Sequence, residues 1–352
     1  MLSGPGGVGK TAVTVTEGLS YAIGRNLLDP SNTNPHWQLC ADRLRVYLYN
    51  LEDDIDETMR RVMAVMNFHS VEPPEVDDFL WFGDGTIDRL LLAVSEAGRK
   101  LIRTPQADQL IQVLQERRID VLILDPFVKL HTCSENDNGE MDFVMVVLKD
   151  IAIKANCAIW LVHHSGKTGT DVDQHGLRGA SAIPSAGRIS ETISVPTKKE
   201  RERYGLGRDI IKLETTKANM SALGDDVQWL RVRGHPVGNG DFAQVIELYA
   251  VKDATERMDE VLFDEIVVAI RQGPTEGKHW VFKREAKSWI GHAFTAGGIG
   301  NDDRANVLIE EWMKLALLIP VEDAKDDRGR PVKTAIQLNE LMAAKYRAER
   351  WA

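Results

Sequence analysis

The residues best suited to chemistry stand almost at the start of the chain, in the run Gly4-Pro5-Gly6-Gly7-Val8-Gly9-Lys10-Thr11. Their spacing is G-x-x-x-x-G-K-[ST] without a mismatch. Glycines let the backbone curl until successive N–H groups point inward, where a Cβ would intrude, and such a cradle suits phosphate oxygens. The Lys10 ammonium can then reach β and γ phosphates, while the Thr11 hydroxyl is a ligand for Mg²⁺. A helix from Thr11 to about Ile23 would aim its positive end at the same anion. The pattern predicts binding of a nucleoside triphosphate, ATP, together with Mg²⁺. A merely flexible Gly-rich segment is the bland alternative, and Lys and Thr both in register weigh against it.

Three further polar features follow apolar, strand-like runs. Val121-Leu122-Ile123-Leu124 ends in Asp125, an apolar run plus acid that suits a carboxylate holding the Mg²⁺ shell opposite Thr11. Hydrolysis also needs a group to orient or deprotonate water. Pro126 and Phe127 follow Asp125, so that group must come from elsewhere. Leu44 to Leu51 reads as a strand and ends in Glu52-Asp53-Asp54, which makes Glu52 the expected base. Asp53 or Asp54 could take its place, or all three are solvated loop charges. Cys157 to Val162 ends in His163-His164. Neighbours on a strand point to opposite faces, and no H-E-x-x-H spacing accompanies them, which argues against a metal pair. A polar sensor beside the γ-phosphate fits better, with a plain strand-terminal His pair as the alternative.

The elements that must position these groups alternate strand and helix, which indicates an α/β domain with a mostly parallel sheet. In such sheets ligands sit beyond the carboxyl ends of the strands, and all four features fall there. The phosphate loop should hang from a buried strand. Only Met1-Leu2-Ser3 precede Gly4, so the expectation is a truncated or misassigned start, or a sheet without its central strand.

At 352 residues the chain has room for two domains. The composition changes near Asp253, giving an ATPase-type domain over 1–252 and a smaller α+β domain over 253–352. In the latter, helices over Asp259–Gln272, Lys283–Phe294 and Asp302–Leu318 precede a hairpin, the layout of a winged helix or of a generic small cap. The net charge of −10 argues against coating nucleic acid over the whole surface, though not against a local basic patch. Cys40, Cys133 and Cys157 lack C-x-x-C spacing and read as reduced thiols. With no secretory signal and no membrane-length apolar run, the expected location is the cytoplasm, without membrane contact.

The ordered set Leu51-Glu52-Asp53, Leu124-Asp125, Val162-His163-His164, Arg178-Gly179-Ala180-Ser181 and Lys217-Ala218-Asn219 resembles the RepA-type hexameric replicative helicases of plasmids and phages. These belong to the RecA/DnaB-like ATPases, and the resemblance covers roughly Gly4 to Ala250. It implies a RecA-like core, a hexameric ring of identical subunits and single-stranded DNA in the central channel. It further implies Glu52 as catalytic base, His163-His164 as sensor, and Arg188, ten residues after Arg178, as the arginine inserted into the neighbouring subunit's site. Locally, Arg188 reads equally well as a surface arginine. Gly166-Lys167-Thr168-Gly169-Thr170 is a candidate DNA loop or a linker. The C-terminal region departs from the family's single-domain members and suggests contact with duplex DNA or a replication protein. Lys278, Lys283, Arg284, Lys287, Lys325, Arg328, Arg330 and Lys333 favour DNA there, whereas Asp302, Asp303, Glu310 and Glu311 oppose it. Two other readings stand beside the motor: a regulatory or loading ATPase that switches partners without unwinding, and an adaptor that has lost nucleotide binding.

Overall fold

The computed structural model describes residues 1–31, 34–37, 39, 42–85, 89–96, 100–164, 183, 186–219, 227–238, 240–251, 258–300 and 302–351. The described chain forms two compact units, Met1–Pro196 with Arg208–Ala250, and Thr197–Gly207 with Val251–Ala352.

The first unit is built on a nine-stranded sheet. Its strands are β1 (Leu2–Gly4), β2 (Val46–Asn50), β3 (Leu80–Asp84), β6 (Val121–Asp125), β7 (Ala158–His164), β8 (Ile189–Ser194), β9 (Ile210–Ala218), β10 (Gln228–Pro236) and β11 (Phe242–Leu248). Across the sheet they take the order β11-β10-β9-β8-β1-β7-β6-β2-β3. From β8 across to β3 the strands run parallel, and β9 to β11 extend the sheet antiparallel. A separate hairpin, β4 (Ala93–Glu96) and β5 (Lys100–Arg103), stands outside this sheet.

The mostly parallel α/β core agrees with the strand and helix alternation. Of the two alternatives for its centre, a sheet without the central strand does not hold, since the short β1 lies between β8 and β7. Three residues suffice for β1 because Leu2 and Ser3 pair on both sides, with Val162 and His163 of β7 and with Glu191 and Thr192 of β8. Leu2 is fully buried, and the Ser3 hydroxyl lies 3.1 Å from that of Thr192. Flanking strands supply the order that length does not.

Pleating sorts the β6 side chains between two cores. Leu122 and Leu124 join Leu110 and Leu114 of α3 (Pro105–Glu116) and Val144 and Leu148 of α4 (Asn138–Ala155) on one face. Val121 and Ile123 join Val15 and Leu19 of α1 (Lys10–Ile23) and Val62 and Val65 of α2 (Ile55–His69) on the other. A strand covered on both faces needs a continuous apolar run, which is what Val121 to Leu124 supplies.

The second unit holds α5 (Lys198–Tyr204), α6 (Glu260–Gln272), β12 (Trp280–Val281), α7 (Gly291–Ala296), α8 (Asp302–Lys314), β13 (Leu318–Pro320), β14 (Ala335–Leu338) and α9 (Glu340–Trp351). Its antiparallel sheet has the order β12-β14-β13. Phe263, Trp289, Phe294, Leu308 and Trp312 fill its core. The helix expected over Lys283–Phe294 is replaced in its first half by a turn. Val281 N–H donates to the Ser288 carbonyl and Ile290 N–H to that of Val281, so the chain folds back on β12 and buries Trp289. Burial of that indole overrides a locally helix-compatible run.

No helix among the described residues is long and apolar enough to cross a membrane. Cys133 and Cys157 are free thiols, and Cys40 lies outside the described residues.

Candidate active site

The phosphate loop follows β1 and enters α1 through Gly9, whose φ of 107° is a conformation closed to most side chains. Gly4 is required for a different reason: a Cβ there would sit 2.6 Å from the Ile193 carbonyl oxygen of β8. Pro5, Gly6 and Gly7 form the turn between strand and helix, and Val8 packs partly into the core that holds Val13 and Ile211.

Register brings the other groups to this loop. Gly4 pairs with His164 across β1 and β7, and Asn50 pairs with Asp125 across β2 and β6. Lys10, on the first turn of α1, is buried and donates to the carbonyls of Gly4 at 2.9 Å and Pro5 at 2.7 Å. Its Nζ also lies 3.1 Å from His164 Nδ1. Burial lowers the Lys10 ammonium to about 8, partly offset by the charges of Asp125 and Glu52. The Thr11 hydroxyl donates to Asp125 Oδ2 at 2.8 Å. Burial raises the Asp125 carboxyl to about 6 against the opposing pull of Thr11 and Lys10.

The two histidines separate as a pleated strand demands. His164 faces the loop, with Nε2 3.8 Å from Glu52 Oε2. Burial and the Lys10 charge both lower its pKa. His163 is buried on the far side, its ring 5.8 Å from that of Phe127 and its Nδ1 3.7 Å from Glu135. Only one member of the expected sensor pair therefore borders the phosphate loop.

The acidic triplet separates as well. Asp53 accepts from the Asn50 side-chain amide and pairs with Arg61 at 3.2 Å, while Asp54 caps α2 by accepting from Glu57 N–H at 2.8 Å. Glu52 is left facing Lys10 and His164, with nearly half its side chain exposed. Asn50 shapes this arrangement, since its Oδ1 accepts from the N–H groups of both Glu52 and Asp53. Sequence reasoning passed over Asn50, although an Asn at a strand end just before an acidic run is an Asx-turn signal.

Arg188 lies elsewhere. It precedes β8 and is exposed, and its carbonyl accepts from Asn219 N–H just past the end of β9. Because β8 runs parallel to β1, Arg188 stands at the amino end of its strand, whereas the phosphate loop follows the carboxyl end of β1. The segments 166–173 and 178–181 lie outside the described residues.

Thr11 and Asp125 offer two hard oxygen donors side by side, the carboxylate buried and short of compensating charge, which fits Mg²⁺. The described residues contain no cluster of three or more His, Cys, Asp or Glu able to enclose a metal.

Residues 1–170 match a family model described as an AAA domain. No curated protein matches the chain. Among solved structures, it is similar to one described as an ATPase domain, at TM-score 0.44 and 13% identity over 65% of this chain and 79% of that one. It is also similar to a DnaB-like replicative helicase solved with its interactions with primase, at TM-score 0.45 and 13% identity over 70% of this chain and 58% of that one. A KaiC-like protein of Pyrococcus horikoshii OT3 gives 0.41 and 13% over 71% and 88%. Likenesses this remote leave the activity of the chain to be argued from its own residues.

Proposed function

We propose that the chain is a Mg-ATP-hydrolysing, RecA-like motor of the RepA helicase type, working as a ring of identical subunits on single-stranded DNA. The observation that carries this reading is the placement of the polar groups on one sheet. Lys10, Thr11, Asp125, Glu52 and His164 converge at the carboxyl ends of the strands, and Arg188 stands at an amino end. An arginine there is of no use to its own phosphate loop. Its exposure leaves it free to serve the loop of a neighbour, and a closed ring gives every loop such a neighbour.

In this mechanism the loop N–H groups and the Lys10 ammonium hold the β and γ phosphates. Thr11 and Asp125 would hold Mg²⁺, which supplies charge neutralisation on the phosphate oxygens. Glu52 orients water for attack on Pγ and accepts its proton as the bond to the β-phosphate oxygen breaks, giving ADP and phosphate. His164 touches both Lys10 and Glu52, so it is placed to register whether the γ-phosphate is present. Arg188 from the neighbour offsets charge developing in the transition state. Within the second unit, the order α6-β12-α7-α8-β13-β14 with the sheet β12-β14-β13 supports reading it as a winged helix. The presence of β1 between β7 and β8 weighs against the adaptor reading.

The test is steady-state ATP hydrolysis with and without single-stranded DNA, together with displacement of a strand from a forked duplex. DNA-stimulated turnover with displacement is expected. Turnover that no DNA stimulates would favour the regulatory or loading ATPase instead.

A further inference from the structure

Two helices of the second unit, α6 and α9, lie side by side. Arg271 donates to both carboxylate oxygens of Glu340, at 3.1 and 2.6 Å, and Arg347 to both of Asp264, at 3.0 Å each for the shorter bonds. From Asp264 to Arg271 the chain advances along α6, and the partners run backwards along α9 from Arg347 to Glu340. The pair is therefore antiparallel and in fixed register. Val268 stands close to the level of Ala343 and Ala344, and Glu265 close to that of Lys345 and Tyr346.

On its inner face α6 buries Phe263, Ile266, Val267 and Ile270. The inner face of α9 is slighter: it buries Ala343 and sets Tyr346 and Trp351 against Phe263. The outer faces should then be polar, and they are not. Val261 and Val268 are 67% and 50% exposed, and Leu341 is 79% exposed. Val261 and Val268 are two turns apart and share a line along α6. Leu341, Ala344 and Ala348, all exposed, share a line along α9 by their i, i+3, i+7 spacing. Each line borders the ion-paired flank of its helix, so the two lines rim one groove floored by the Arg271–Glu340 and Arg347–Asp264 contacts. Single exposed apolar residues are ordinary, whereas a groove rimmed by several on two fixed helices marks a contact surface.

The charges along the groove identify its occupant. Glu265 lies between the two valines on α6, and Lys345 lies between the two alanines on α9, both exposed. Lys345 stands 3.7 Å from Glu349, a solvent-exposed pair of little worth that leaves the ammonium available. The face is thus complementary to itself. A half-turn about an axis along the groove lays α6 of one copy on α9 of the other, and the reverse. Glu265 then meets Lys345 twice, and Val268 seats between Leu341 and Ala344, where the small alanine leaves room. Glu260, Asp264 and Glu265 of α6 disfavour a phosphate backbone as the partner.

We infer that the α6–α9 groove is a pairing surface for a second copy of this chain, occupied by the same groove of that copy. The inference goes beyond the ATPase reading and stands or falls without it. The contact is isologous and joins copies in twos, whereas a ring needs a head-to-tail contact.

The experiment uses the full chain without nucleotide. An equal mixture of isotopically labelled and unlabelled chains is coupled with a carbodiimide, and linked peptides are identified by mass spectrometry. A labelled peptide joined to an unlabelled one through Glu265 and Lys345 is expected. Links between these two residues confined to chains of one label, or no such link, would overturn the inference. A second arm follows sedimentation over a concentration series. Leu341→Glu and Glu265→Lys should each weaken pairing at least about tenfold, and the swapped E265K/K345E should recover what Glu265→Lys loses. The substituted side chains are all exposed, and circular dichroism reports whether each variant is folded. Folded variants that pair as the parent does, or a parent that stays single throughout the series, would overturn the inference.

Discussion

Lys10 Nζ lies 3.1 Å from His164 Nδ1, so the ammonium donates and that ring nitrogen accepts. The imidazole proton is thereby assigned to Nε2, the nitrogen that faces Glu52 at 3.8 Å. The imidazole thus meets Lys10 through one nitrogen and faces Glu52 through the other. Because burial lowers Lys10 to about 8, its charge is partly lost in mildly alkaline solution. A bound polyphosphate favours the charged form, so binding above about pH 8 must take up a proton. ATP affinity should therefore fall as pH rises beyond about 8, approaching tenfold per pH unit. Calorimetry in buffers of different ionisation enthalpy would register the proton uptake. Lys10→Ala should abolish binding and raise the His164 pKa, since one cause of its depression is removed.

Glu52 and Asp53 are adjacent and should behave differently. Glu52→Gln should keep nucleotide affinity and lower kcat by about 10²–10⁴-fold, the range for losing a positioned acid–base group. Asp53→Asn breaks the pair with Arg61 in the middle of α2 while leaving the Glu52 carboxylate in place, so its main effect should be on stability. Single-turnover hydrolysis beside a thermal melt separates the two. Equal kinetic damage would show that Glu52 is not the base.

Arg188→Ala should bind ATP like the parent and hydrolyse it at least about 10³-fold more slowly, in line with other arginines supplied in trans. Mixing gives a sharper check. Arg188→Ala subunits have intact phosphate loops, and Lys10→Ala subunits have intact arginines. Combined, they should recover part of the turnover that neither shows alone. No recovery in rings shown to be mixed would return Arg188 to the role of a surface residue.

His131 offers a test of stability. Burial pushes its imidazole down to about 4, below the ordinary value near 6.5. Between those values the unfolded chain binds the proton and the folded one does not, so stability falls as pH drops through that window. Above about 6.5 the effect is absent, and by about pH 4 it approaches about 3 kcal/mol. His131→Phe should flatten the acid limb of a denaturation curve recorded from about pH 7 to about pH 4. Parallel curves for the two proteins would show that His131 is not the group responsible.

Much of this site was legible because its signals are local. The G-x-x-x-x-G-K-T spacing fixes a turn and a helix start, and the apolar runs ending in Asp125 and His163-His164 mark strands that deliver polar groups to one edge. What escaped was settled by distant partners. β1 is too short to show a pattern and exists through β7 and β8. The hairpin β4–β5 and the turn at Lys283–Ser288 depend on what they fold against. That Asp53 and Asp54 have partners of their own, Arg61 and the start of α2, depends on how that helix packs. That His164 and not His163 borders the loop follows from pleating, which forbids both from doing so.

The pairing of Gly4 with His164 makes the contact with Lys10 a matter of parity. Two chemically identical side chains sit in succession, and odd or even position alone decides which meets Lys10. Inserting one residue within β7 would leave the composition of the site unaltered and exchange the two rings, bringing the buried imidazole to Lys10. Inserting two would restore the original choice. Sequence changes in this strand are therefore read modulo two, a constraint invisible to any comparison that counts only which residues are present.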